Sequence, residues 1–119
     1  MRYFIRSLRF AFNGIYQFFR RERNGQIQGV IALLMTGAGF FFAITKSEWI
    51  ALLFCIAMVV SLEMLNSAIE RICNMYTTDF HPAIKIIKDV AAAAVLWSSI
   101  LSLVIGLLIF FPYVSRLFS

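Results

Sequence analysis

The segment Glu63-Met64-Leu65-Asn66-Ser67-Ala68-Ile69-Glu70 follows directly on residues 49–62, which carry no charged side chain. On a helix, positions 63, 66 and 70 are three and four apart, so the two carboxylates and the amide line one face. An apolar segment of this length, continued through residue 72, is long enough to cross a bilayer. A carboxylate inside that environment costs roughly 2.5–3.5 kcal/mol on insertion scales, so two of them at its edge call for a functional explanation.

The rest of the chain agrees with a membrane reading. Of 119 residues, 61% are hydrophobic and 14% charged, and the mean hydropathy is +0.84. A soluble domain of this size has too little interior to hide that much apolar surface. Neither a repeat nor a low-complexity linker divides the sequence, so a single membrane domain over residues 1–119 is expected. Apolar character begins at once and no small-residue cleavage pattern follows, so a signal peptide is not expected. Cys55 and Cys73 have no metal-ligand spacing and read as small apolar residues.

Residues 2–20 are predicted to form an amphipathic surface helix. Arg2, Arg6, Arg9, Asn13, Gln17 and Arg20 make one polar stripe, flanked by Phe4, Ile5, Leu8, Phe10, Phe12, Ile15, Phe18 and Phe19. That pattern suits a helix lying in the membrane interface. After a polar break at residues 20–25, three transmembrane helices are expected at about 27–45, 49–72 and 90–111. Residues 45–48 read as a turn and Pro112 as the end of the last span. The fold expected is therefore all-α, a surface helix plus three spans. Gly29, Gly37, Gly39 and the run of alanines at 91–94 offer close-packing faces.

Charge fixes the sidedness. The N-terminal region and the connection after the second span hold Arg2, Arg6, Arg9, Arg20, Arg21, Arg23, Lys85 and Lys88, with Arg71 adjoining; the other side holds Lys46 and Arg116. The positive-inside rule puts the N-terminus and the acidic stripe in the cytoplasm. The basic stretch has no nucleic-acid reader motif beside it, so no nucleic-acid partner is expected.

Glu22, Glu63, Asn66, Glu70, Asp79, His81, Lys88 and Asp89 all fall at that cytoplasmic edge. Carboxylates from different helices, with room for phosphate oxygens and water, suit Mg²⁺, and a lysine suits phosphate as a point charge. A further carboxylate near the bilayer surface suits proton removal from a lipid hydroxyl. Phosphoryl transfer needs little more than such positioning and charge neutralisation. No P-loop or protein-kinase signature is present. The rival reading is a small oligomeric ion or proton transport protein using the intramembrane acids. The first and third spans carry no interior acid, which disfavours a continuous path.

At these residues the sequence resembles the small bacterial membrane lipid kinases, the prokaryotic diacylglycerol kinase and undecaprenol kinase family. Three blocks carry the resemblance: Glu22-Arg23-Asn24; Glu63-Met64-Leu65-Asn66-Ser67-Ala68-Ile69-Glu70; and His81 with Lys88-Asp89-Val90-Ala91-Ala92-Ala93-Ala94-Val95. The segment Phe10-Ala11-Phe12-Asn13-Gly14-Ile15 is similar to the family's N-terminal helix. The resemblance implies a homotrimer with shared active sites in the bacterial inner (cytoplasmic) membrane. It also implies ATP- and Mg²⁺-dependent phosphorylation of a membrane lipid, diacylglycerol or undecaprenol. By motif, Glu63 would be the general base, Asn66 would order the lipid hydroxyl or γ-phosphate, and Glu22 and Glu70 would hold magnesium. Asp79, Phe80, His81, Lys88 and Asp89 would line the nucleotide site. The chain departs from the pattern at Asn74, where diacylglycerol kinases often carry aspartate, at Gln28, where some members are acidic, and at Tyr3, where a nucleotide-contacting arginine can occur. The His81-Pro82 junction followed by Lys85, Lys88 and Asp89 resembles the undecaprenol-kinase branch more.

Overall fold

A computed structural model describes residues 1–119 as four helices: α1 (Arg2–Arg21), α2 (Arg23–Phe42), α3 (Lys46–Tyr76) and α4 (Pro82–Leu117). There is no strand. Helices α2, α3 and α4 are each long and apolar enough to cross a membrane. Of 119 residues only 11 are buried. In water that exposure would be ruinous; in a bilayer the outward apolar side chains meet lipid or another helix, and every spanning backbone group is bonded within its own helix.

The helices run past the apolar spans that hydropathy marks, and capping explains where they stop. The expected break at residues 20–25 shrinks to Glu22 alone, whose extended backbone (φ −102, ψ 134) turns α1 into α2. The side chain of Gln26 donates to the Arg20 carbonyl across this corner, at 2.8 Å. Residues 45–48 are not a free turn. Thr45 caps α3 by accepting from the Glu48 N–H, while the Glu48 carboxylate accepts from the Thr45 N–H, a reciprocal capping box. His81 caps α4 through Nδ1, which accepts from the Ala83 N–H, and Pro82 takes the first helical position. The connection after α3 is thereby reduced to residues 77–81.

Pro112 does not end the last helix as expected, because α4 continues to Leu117. A helical proline forfeits one backbone hydrogen bond. The turn around it is held from outside. The Tyr113 ring lies 5.7 Å from that of Phe42, its hydroxyl donates to the Glu48 carboxylate, and Arg116 stacks on its other side at 5.5 Å.

Packing is uneven along the bundle. The small core of Ile44, Leu52 and Ile109, with Met35, Phe42, Trp49 and Phe110 around it, sits at the end away from Glu63. Trp49 fits against Gly39, where a Cβ would lie 2.6 Å from the indole. At the opposite end α1 and α2 close on each other through Gly25, whose missing Cβ would stand 1.8 Å from the Phe18 carbonyl oxygen. That contact fixes the corner at Glu22.

Candidate active site

Glu63 and Asn66 lie on the buried face of α3, with 8% and 7% of their surface exposed. Their three-residue spacing turns both inward from an otherwise apolar helix. One oxygen of each, Glu63 Oε2 and Asn66 Oδ1, is buried with no hydrogen-bond partner; the only other such side-chain atom in the chain is Glu22 Oε2. Buried acceptors are normally satisfied, and each orphan costs about 1–3 kcal/mol. Three of them at one end of a membrane protein describe a place built to receive a donor or a cation.

Glu22 reaches this region from the α1–α2 corner. It makes no cap on its own helix; instead its Oε1 accepts two hydrogen bonds from Arg71, at 2.9 and 3.1 Å. The guanidinium fixes one carboxylate oxygen and leaves the other free. Glu70 precedes Arg71 and is exposed. It stands two turns from Glu63 on the same face, about 10 Å along the axis. No three His, Cys, Asp or Glu side chains are gathered into one cluster, so the acids form a line from the helix interior to its mouth.

The remaining candidate residues surround that mouth. Asp79, Phe80 and His81 occupy the connection between α3 and α4 and are exposed. The Asp79 N–H donates to the Thr77 hydroxyl, and the His81 ring meets Tyr76 edge-on at 6.0 Å. Lys88 donates to Asn74 Oδ1 across the α3–α4 gap at 2.7 Å. Asp89 pairs instead with Lys85 on its own helix. Arg71 and Asn74 are the two residues at this end that motif reading does not single out as site residues. Arg71 finds its partner 49 residues away, a pairing with no local signal.

Two cavities adjoin these groups. One, of about 500 Å³, lies between α1 and α3 and is bordered by Glu22, Arg71, Ser67 and Gly14. The other is an apolar groove of about 680 Å³ among α2, α3 and α4, running from Gln28 to Phe42 and Val114. The Gln28 amide at its head faces the Glu63 carboxylate.

The family model for prokaryotic diacylglycerol kinase matches residues 9–110. The chain belongs to the prokaryotic diacylglycerol kinase family. It is accordingly an enzyme, a lipid kinase with an all-α membrane fold. It is 38% identical over 109 residues to the undecaprenol kinase of Bacillus subtilis, covering 92% of this chain and 89% of that one. It is also 29% identical over 108 residues to the diacylglycerol kinase of Haemophilus influenzae, covering 90% and 92% respectively. The diacylglycerol kinase of Synechocystis is 33% identical over 104 residues, 84% of this chain and 58% of that one. The matched region contains the corner at Glu22, the buried Glu63–Asn66 pair and the Asn74–Lys88 contact.

Proposed function

We propose that this lipid kinase transfers the γ-phosphate of ATP to the hydroxyl of a membrane lipid, with Mg²⁺ as cofactor and Glu63 as general base. The observation that carries the assignment is the set of three orphaned buried acceptors, Glu22 Oε2, Glu63 Oε2 and Asn66 Oδ1. Carboxylate and amide oxygens are the donor type that a hard cation and a hydroxyl proton seek.

Glu22 and Glu70 would hold the metal, which when bound neutralises charge on the ATP phosphates. Few protein ligands suit a magnesium ion that keeps water and phosphate oxygens in its shell. Arg71 holds Glu22 by one oxygen and so presents the other. Glu63 takes the proton of the lipid hydroxyl as that oxygen attacks the γ-phosphorus and ADP departs. Asn66, one turn away, orders the hydroxyl or the γ-phosphate. Asp79, Phe80 and His81 border the nucleotide, Lys88 meets phosphate, and Asp89 stands beside it. The groove headed by Gln28 offers a hydrocarbon chain a bed with its polar end at Glu63.

The excess of cations at this end puts it in the cytoplasm of a bacterial inner membrane, where ATP is available. Assembly as a homotrimer is supported by the exposed apolar faces and by the alanines at 91–94, which permit close helix contact. Of the two lipids, undecaprenol is favoured by the 38% identity with a relative of that name.

The test is phosphate transfer from γ-labelled ATP in mixed micelles, with diacylglycerol and undecaprenol offered separately. Label is expected in lipid only when Mg²⁺ is supplied, and more in undecaprenol. Well-folded protein that labels neither lipid would overturn the proposal.

A further inference from the structure

Three cations stand around the mouth between α3 and α4, and the structure treats one of them differently. Arg71 is paired with Glu22, and Lys85 is paired with Asp89. Lys88 has no carboxylate partner; its ammonium is held by the neutral amide oxygen of Asn74, at 2.7 Å. Asn74 sits in the last turn of α3 and Lys88 in the second turn of α4, so the bond spans the two helices next to the 77–81 connection.

An ammonium on a four-carbon stem is mobile and strongly hydrated. An amide oxygen offers it a fixed direction without cancelling its charge, whereas a carboxylate would supply the same direction and a counter-charge. We infer that Asn74 is a positioning residue, holding Lys88 at the nucleotide mouth with its full charge available to a triphosphate oxygen. The inference rests on the phosphate role proposed above for Lys88. Asn74 touches neither the reacting atoms nor the lipid; it acts through Lys88.

Asparagine and aspartate are nearly isosteric, so Asn74→Asp changes charge while keeping shape at an exposed position. The new carboxylate would pair with Lys88, and ATP would have to compete for it. Exposed ion pairs of this kind correspond to about a two- to five-fold change in an equilibrium. The experiment is steady-state kinetics of the full-length enzyme in mixed micelles, comparing wild type, Asn74→Asp, Lys88→Met and the double variant. KM for Mg·ATP is expected to rise about two- to five-fold in Asn74→Asp with kcat nearly unchanged. In the Lys88→Met background the same substitution is expected to leave KM where Lys88→Met alone puts it.

A purely structural brace predicts something else: the stronger α3–α4 pair in Asn74→Asp would raise the thermal midpoint and leave KM unaltered. That result would overturn the inference, as would an equal rise of KM in the Lys88→Met background. If Lys88→Met itself leaves KM unchanged, the phosphate role of Lys88 falls and the inference with it. If Lys88→Met raises KM and Asn74→Asp does not, the inference about Asn74 alone falls.

Discussion

Replacing Gly25 by alanine should disturb the enzyme more than any other single methyl group added to a helix glycine. The new Cβ would lie 1.8 Å from the Phe18 carbonyl oxygen and 2.6 Å from its carbon. The tightest real contacts reach about 3.0 Å, so α1 and α2 must part by about 1.2 Å at this point. The obstacle is backbone on a residue only 4% exposed, not the tip of a mobile side chain. Overpacking of that kind costs about 1–3 kcal/mol, and this geometry belongs at the upper end. Alanine returns up to about 1 kcal/mol through helix propensity, leaving a net loss of about 1–2 kcal/mol. Glu22 lies at the same corner, so phosphotransfer should fall with stability. The assay is thermal unfolding in detergent beside lipid phosphorylation, with Gly37→Ala as control because nothing lies within 4 Å of its added Cβ. A Gly25→Ala protein with the midpoint and activity of the control would refute the close approach of α1 and α2.

Other consequences are open to similar tests. Ala43 ends α2 in the left-handed region (φ 49, ψ 55), which favours glycine; Ala43→Gly should stabilise by up to about 1 kcal/mol in reversible unfolding, and destabilisation would contradict that backbone. Thr45→Ala removes half of the capping box on α3 and should cost about 1 kcal/mol; an unchanged midpoint would mean that the cap is not formed. Arg71→Met should cost under about 1 kcal/mol of stability, since the Arg71 side chain is 63% exposed, and a larger loss would show a buried pair.

The architecture was largely legible in the chain because two simple signals dominate it. The arginine stripe of α1 has a helical spacing, and the uncharged runs of α2, α3 and α4 have membrane length. The burial of Glu63 and Asn66 was legible for the same reason: polar residues three apart on an apolar helix share a face. What hydropathy misses is backbone capping. Thr45, Glu48 and His81 are polar, so the helices they begin were drawn too short. Pro112 was read as a stop because its local effect is unfavourable, but Tyr113 anchors the turn through Phe42 and Glu48, which are remote in sequence. The Arg71–Glu22 and Lys88–Asn74 contacts were illegible because they depend on how α2 and α4 dock on α3. No spacing rule within one helix reports that.

The account turns on Glu63, and the most direct measurement is the turnover of Glu63→Gln beside its nucleotide binding and thermal midpoint. Glutamine keeps the size of the side chain but cannot accept the lipid proton. The account predicts a fall in kcat of about 10²–10⁴-fold, with nucleotide binding and midpoint near those of the wild type. Retention of most activity, or loss of folding in step with activity, would contradict a proton-accepting role and make Glu63 a structural residue.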